Sequence, residues 1–303
     1  MVSGDLYDSF LDIVGRDKVF RDYDMSLRSS FKTGGRADIL VCPGDRGQVI
    51  ESVKLARSSG QQIYIIGKST NLLIRDGGLP GITICLYDNF NHISVDGNII
   101  HAQAGALLSA VANYACRSSL TGMEFAAGIP GSVGGAVKMN AGAYGYDVGN
   151  FIKSAEVFLV SGEIVVMDRE MLQFSYRKSA VAEGDVVLRA EFELNKGKMK
   201  EIRSAMIDYG KLRKSKQPLN MPSAGSIFKR PEGDYAGRLI ELAGLKGCRI
   251  GGAMVSEKHA GFIVNDGHAT SRDVEELINH VKAKVFEDSG IALETEVKII
   301  GVY

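Results

Sequence analysis

The apolar positions of this chain follow a helical period in some segments and an extended one in others. Val49, Ile50, Val53 and Leu55 recur at helical spacing and end before Gly60, so GQVIESVKLARSS (47–59) predicts a helix, with IYIIG following as a short buried strand. GITICL and NIIHAQAG are β-branched runs separated by a turn region around Asp88 to Asn91. ALLSAVANYACRSS sets Leu107, Leu108, Val111 and Ala115 along one side of an amphipathic helix. After Gly145 the period becomes two: AEVFLV, a Ser161-Gly162 turn and EIVVM predict a hairpin, VVLRAEFEL a further strand, and together a mixed sheet.

A charged stretch, GKMKEIRSAMIDYGKLRKSKQP, predicts an exposed helix stopped by Pro218, and a domain boundary is expected near its start. Beyond it, YAGRLIELAG predicts a helix and GFIVN a strand. SRDVEELINHVKAKVFEDSG predicts a helix capped by Ser271 and closed by Gly290, and ALETEVKIIGVY a last strand. The remainder reads as a compact α+β unit, with no internal repeat and no low-complexity tract.

Composition narrows the function classes. With 303 residues and 45% hydrophobic content the chain can bury one large core or two ordinary ones, and two domains are expected. Lys plus Arg and Asp plus Glu both total 36, so no global field favours nucleic acid, and any anion site is local. Cys42, Cys85, Cys116 and Cys248 form no C-x-x-C pair and read as buried or idle thiols of a reducing compartment. The five histidines never fall at ligand spacing, so no metal is expected. The acidic N-terminus, MVSGDLYDSFLDIVGRD, does not read as a signal peptide, and no apolar run approaches the ~20 residues of a membrane span. A cytoplasmic monomer is the expectation.

GIPGSVGGAVKMNAGAYG (Gly128 to Gly145) holds six glycines in eighteen residues and one charged side chain, Lys138. Such freedom serves either a tight loop between helices or a nest of backbone N–H groups converging on an anion, and glycine count leaves the two about equal. GKSTNLLIRDGG (Gly67 to Gly78) also follows an apolar strand, and two cradles suit a dinucleotide. Neither segment is a standard motif. A Walker A loop would need glycine where Gln62 stands, G-x-x-G-x-x-G-G is not the Rossmann order, and Pro130 replaces the glycine of a nucleophile elbow at Ser132.

Seven ordered pieces resemble the UDP-N-acetylenolpyruvoylglucosamine reductases, also called UDP-N-acetylmuramate dehydrogenases: SSFKTGGRAD, IIGKSTNLLIRDGG, the glycine-rich segment, FSYRKS, QPLNMPSAGSIFKRP, AGFIVN and LETEVKIIG. The resemblance implies an α+β fold with a two-lobed FAD-binding domain of the vanillyl-alcohol-oxidase (PCMH) type at 1–195, its lobes near 1–90 and 91–195. A smaller α+β substrate domain would occupy 196–303. It implies non-covalent FAD, NADPH as co-substrate and UDP-N-acetylglucosamine enolpyruvate as substrate, with hydride passing from flavin N5 to the vinyl terminus. The FAD contacts carry over to Thr33, Gly34, Gly67, Lys68, Ser69, Thr70, Asn71, Leu72, Gly128, Ile129, Gly131, Ser132, Gly134, Gly135, Asn140, Gly142 and Arg213.

Three residues match the family's catalytic positions. Arg177, in FSYRKS, would face the pyruvyl carboxylate, which a guanidinium fork fits bidentately. Ser226, in SAGSIFKRP, would donate the proton, with Lys229 as a neighbour able to polarise it. Glu296 would assist proton delivery, and strand alternation places it on one face with Glu294 and Lys298. Lys216 matches a substrate-binding lysine, with Tyr176, Arg230 and Tyr235 expected in the same pocket. The interval from Arg177 to Ser226 leaves no room for the tyrosine-bearing loop of one class of relatives, so the chain resembles the second class. The same fold also hosts oxidases of alcohols and sugars, and a nucleotide-binding protein without turnover is a further alternative.

Overall fold

Asp45 opens the first helix predicted: its carboxylate accepts the Gln48 backbone N–H at 2.9 Å, and Arg46–Ser58 follows with Val49, Ile50, Val53 and Ala56 buried. The computed structural model describes residues 4–303. The first three residues of the stretch read against a signal peptide lie outside the described residues. The rest of it forms a helix that periodicity left unassigned, Gly4–Val14, which buries Phe10 and Val14.

The chain divides into two compact units. The first comprises the segment up to Arg21, Asp38–Lys68 and Gly81–Leu212; the second comprises Asp22–Ala37, Ser69–Pro80 and Arg213–Tyr303. A single cut at residue 195, with lobes at 1–90 and 91–195, does not describe this division. The helix Met199–Lys216 runs through it, and two early segments join the C-terminal unit. Their reason for doing so is burial: Phe31 and Leu73, both fully buried, belong to the same apolar core as Ile227, Phe228, Leu277 and Val297. Sequence distance hides such a core from any local reading.

In the first unit, strands Val19–Asp24, Arg36–Val41, Leu79–Cys85 and Ile63–Ile66 follow one another in that order in a four-stranded sheet, the last two parallel. A five-stranded sheet runs Ile164–Asp168, Ile152–Phe158, Val186–Glu193, Ile99–Gln103, Ile93–Asp96. Every pairing in it is antiparallel, which corrects the mixed sheet expected there. Hairpins join two of its pairs, the one at Ser161-Gly162 turning on Gly162 at φ 92°, and a tight hairpin sets its own two strands antiparallel. Leu107 stands just before the predicted amphipathic helix, which spans Leu108–Arg117 and buries Leu108, Val111, Ala112, Ala115 and Cys116.

In the second unit the helix Ser271–Ser289 is capped by Thr270, not by Ser271. The Thr270 hydroxyl accepts from Asp273 N and the Asp273 carboxylate returns the bond to Thr270 N. Ser271 is buried instead, its N–H given to Asp76 and its hydroxyl to Ile74 O. Gly290 closes the helix at φ 71°, as expected. ALETEVKIIGVY forms regular strand only over Lys298–Ile300, which pairs in parallel with Leu72–Ile74. Glu294 and Glu296 therefore lie outside regular strand; Glu294 is exposed and Glu296 half-buried, while Leu293 and Val297 are buried.

Candidate active site

The predicted site residues are divided between the two units. In the first, the glycine-rich segment passes through a 3-10 turn at Glu124–Gly128, bridges Leu107 at Ser132 and continues as the short helix Val133–Lys138. Ile129 N–H closes that turn on Ala126 O, and Gly131 O accepts from Leu108 N at 2.9 Å. A Cβ at Gly67 would strike the hydroxyl of buried Ser132. At Gly134 a Cβ would crowd Ala104, whose carbonyl accepts the Gly134 N–H at 2.8 Å; at Gly142 it would meet Tyr146 and Asp147. These three glycines permit close approach of chain to chain, so the loop explanation holds for them. Gly135 is exposed, with only the Ser132 hydroxyl near its Cβ direction, and its backbone is open to a ligand. The Lys68 ammonium stands 3.8 Å from the centre of the Tyr87 ring.

Arg177 lies at the tip of a two-residue turn closed by Ser175 and Lys178, whose N–H and carbonyl groups exchange bonds of 3.0 and 3.1 Å. Its φ is 56°, and its Nη2 donates to Gly142 O at 3.2 Å. Half-buried itself, it lies 4.9 Å from the ring of exposed Tyr176. Asn140 supports the turn. The side chain is buried, gives its amide N–H to Ser175 O at 3.0 Å and accepts Gly149 N at 2.9 Å. One amide N–H and the amide oxygen of Asn140 thus hold the segment that carries Arg177.

In the second unit, the TGG and IRDGG pieces pack on one another: a Cβ at Gly34 would meet Ile74, and Gly35 N donates to Arg75 O at 3.0 Å. Thr33 and Ser69 are 4% and 5% exposed, and neither Thr33 Oγ1 nor Ser69 Oγ has a hydrogen-bond partner in the protein. A buried hydroxyl left unmatched costs about 1–3 kcal/mol. Two of them, both at positions carried over to FAD, fit a bound group rich in acceptor oxygens. Thr70, Asn71 and Leu72 are half-buried; the Asn71 amide donates to Glu296 O at 3.1 Å, and Asn71 O accepts Lys298 N at 3.0 Å.

The serine and glutamate motifs meet through the main chain. Glu296 N donates to Ile227 O at 2.7 Å, and Phe228 bridges Thr295. Ser226, half-buried, gives its hydroxyl proton to Phe228 O at 3.1 Å. Lys229 is not available to polarise it, because its ammonium is paired with Glu294 at 2.9 Å. Arg213 is half-buried in the last turn of its helix, Lys216 is exposed at that helix's end, and the exposed Arg230 stacks 4.6 Å from the Tyr235 ring.

Sequence reasoning passed over His259. A Cβ on Gly261 would stand 3.0 Å from the His259 ring and 3.5 Å from Ser226 Oγ, so the absent side chain leaves the imidazole and the serine facing one small space. Gly261 N donates to His259 Nδ1 at 3.1 Å, which leaves the proton on Nε2. Burial, and then the charges of Lys246 and Lys216, hold this imidazole below the ordinary histidine range and keep it neutral. The signal was its place beside AGFIVN. A cavity of about 270 Å³ in the first unit, lined by Glu124, Phe125, Tyr146, Phe151 and neighbours, has no counterpart in the sequence reading.

Residues 37–168 match the family model of the FAD binding domain. With the two unmatched hydroxyls and the open backbone at Gly135, the fold defines a flavin-dependent oxidoreductase. Residues 217–300 match the C-terminal domain of UDP-N-acetylenolpyruvoylglucosamine reductase. The reductase of that name from Clostridium botulinum strain Hall is 47% identical over 293 residues, 96% of this chain and 95% of its own. That of Clostridioides difficile strain 630 is 44% identical over 302 residues, 99% of each chain. The crystal structure of the enzyme from Thermus caldophilus matches with a TM-score of 0.81 at 36% identity, over 93% of this chain and 98% of that one. The chain belongs to the UDP-N-acetylenolpyruvoylglucosamine reductase family. Among the described residues no helix is long and apolar enough to cross a membrane.

Proposed function

We propose that this chain reduces UDP-N-acetylglucosamine enolpyruvate to UDP-N-acetylmuramate for peptidoglycan synthesis, with FAD as cofactor and NADPH as reductant. The match to its relatives over 96% of the chain carries this reading. A cytoplasmic location fits this reading, since a nucleotide sugar and NADPH are both at hand there. Thr33, Ser69 and the backbone of the two glycine segments would hold FAD, which when bound supplies the hydride.

Addition of hydride to the vinyl terminus leaves negative charge on the neighbouring carbon and the pyruvyl carboxylate. Arg177 receives the carboxylate. Its side chain is already half-buried and tethered to Gly142 O, so little freedom is lost on binding, and preorganised donors at developing charge are commonly worth ~2.7–4 kcal/mol. Ser226 gives its hydroxyl proton to the carbanion, exchanging its bond to Phe228 O for one to substrate. Glu296 assists from the segment hydrogen-bonded to Ile227 O. The ordered SYR, AGSIFK and LETEV motifs disfavour the oxidase alternative.

Anaerobic half-reactions test the assignment. Purified protein should be yellow and release intact FAD on mild denaturation. Ser226→Ala should bleach normally with NADPH, while reoxidation by the enolpyruvyl ether slows by about 10²–10⁴-fold. Equal damage to both half-reactions refutes the role.

A further inference from the structure

Away from the residues assigned above, the first unit gathers three side chains that the sequence separates: Cys42, just past the strand Arg36–Val41; Cys85, the last residue of the neighbouring strand Leu79–Cys85; and Asp88 in the turn beyond. We propose that they form a site for a soft divalent cation, of the Zn²⁺ or Cd²⁺ class, beneath the first glycine of the GKST segment.

The geometry favours an ion. Both sulfurs and an Asp88 carboxylate oxygen lie within 4.8 Å of one another. Two thiolates bound tetrahedrally to zinc at ~2.3 Å stand about 3.8 Å apart, so closure asks at most about 1 Å of movement. Neither cysteine is in a disulfide. Two sulfurs and one oxygen also match soft and borderline cations and disfavour Mg²⁺ or Ca²⁺, which take oxygen alone.

The ligands are held before any ion arrives. Cys42 N donates to Lys18 O at 2.8 Å and Cys42 O accepts the Asn89 amide at 3.1 Å, while the Asn91 amide bonds Asp88 O at 3.1 Å. The cysteines are 2% and 1% exposed, whereas Asp88 is half-buried. An ion therefore enters past the carboxylate and meets the thiols behind it, with its remaining position open to water. Binding deprotonates both thiols: M²⁺ plus two S–H groups and one carboxylate give a bis-thiolate complex of net charge −1 and release two protons. It also reaches the flavin segment. Cys85 Sγ–H donates to Gly67 O at 3.8 Å, and ionising the thiol removes that bond.

The test uses the full-length, FAD-bound protein, reduced with a phosphine and titrated with ¹¹³Cd²⁺. One resonance in the thiolate region, one ion per chain by native mass spectrometry and two protons released per ion are expected. Cys42→Ser and Cys85→Ser should each abolish the thiolate resonance, and Asp88→Asn should weaken binding by on the order of 10–100-fold. Cys116→Ser should leave it in place, since that thiol faces Met199 O elsewhere in the unit. Absence of the resonance in the native sequence overturns the site, as does its persistence in both serine variants. So does a Cys42–Cys85 disulfide whose reduction yields no cadmium binding. If the serine variants do not fold, alkylation of the native chain decides. In sub-denaturing urea, which opens the site to reagent, cadmium should protect Cys42 and Cys85 against iodoacetamide while Cys248 is still labelled, and equal labelling of Cys42 and Cys85 with and without cadmium overturns the proposal.

Discussion

Removing the Asn140 side chain should separate the support of Arg177 from the binding of FAD. Asn140 is 2% exposed, and Gly149, whose N–H it accepts, is also buried. That N–H loses its acceptor in Asn140→Gly, a cost of about 1–3 kcal/mol. Ser175 is exposed, so its carbonyl turns to water and the second bond costs only about 0.5–1.5 kcal/mol. Glycine is at ease at the native φ of 42°, whereas alanine adds about 1–2 kcal/mol of left-handed strain. The glycine variant should thus lose roughly 2–4 kcal/mol and the alanine variant 1–2 kcal/mol more, read as a drop in urea midpoint at constant m-value. Asn140→Asp keeps the acceptor for Gly149 but sets a carboxylate oxygen against Ser175 O. It should release the Arg177 turn selectively: reduction by NADPH near normal, reoxidation by substrate slowed. A glycine variant within about 0.5 kcal/mol of the native chain, or an aspartate variant slowed equally in both half-reactions, refutes the reasoning.

Gly67→Ala drives a methyl group into the Ser132 hydroxyl and should cost about 1–3 kcal/mol in thermal or urea unfolding; adding Ser132→Ala should recover part of it, and additive losses would show that the contact is not the cause. Arg177→Lys should slow reoxidation by about 10²–10³-fold, because a point charge cannot replace the fork on a carboxylate, and near-normal turnover would count against it. His259, depressed by burial below its ordinary 6.5, is neutral in both folded and unfolded chains well above that pH. As pH falls through 6.5 the unfolded chain gains the proton first, so unfolding free energy should decrease until the folded pKa is passed. His259→Gln should flatten that slope, and an unchanged profile would place the titration elsewhere.

The elements legible in the sequence are those whose register is set locally. Arg46–Ser58, Leu108–Arg117, Ser271–Ser289 and the Ser161-Gly162 hairpin each carry their own apolar stripe or turn glycine, and each lies where expected to within a few residues. What failed depends on distant partners. Ser271 looked like a cap because nothing in SRDVEEL reveals that Asp76 and Ile74 claim its N–H and hydroxyl. Alternation predicts regular strand through Glu294 and Glu296, where the chain makes only an isolated bridge at Thr295 flanked by main-chain bonds with Ile227 and Lys229. At the site, motif order brought out the glycine segments, the Arg177 turn and the serine and glutamate pieces. It could not say that the Asn140 side chain is hydrogen-bonded to Ser175, that Lys229 is neutralised by Glu294, or that His259 shares the space at Gly261 with Ser226.

Backbone strain offers a second, independent trace of the site. Among the described residues eight non-glycine positions have φ between 42° and 59°, and five of them, Lys32, Ser69, Asn140, Tyr144 and Arg177, fall within the motifs that carry the family resemblance. Each such position costs about 1–2 kcal/mol, less for asparagine, and glycine would remove the cost at no gain in volume. The side chain must therefore contribute something glycine cannot. For Asn140 it is the pair of bonds to Ser175 and Gly149; for Tyr144, a ring stacked 4.5 Å from Tyr209 and a hydroxyl on Tyr209 O. For Arg177 it is the bond to Gly142 O together with the contact to the Tyr176 ring. Strained positions cluster at functional sites, and the one at Arg177 points to the same residue that motif order selects.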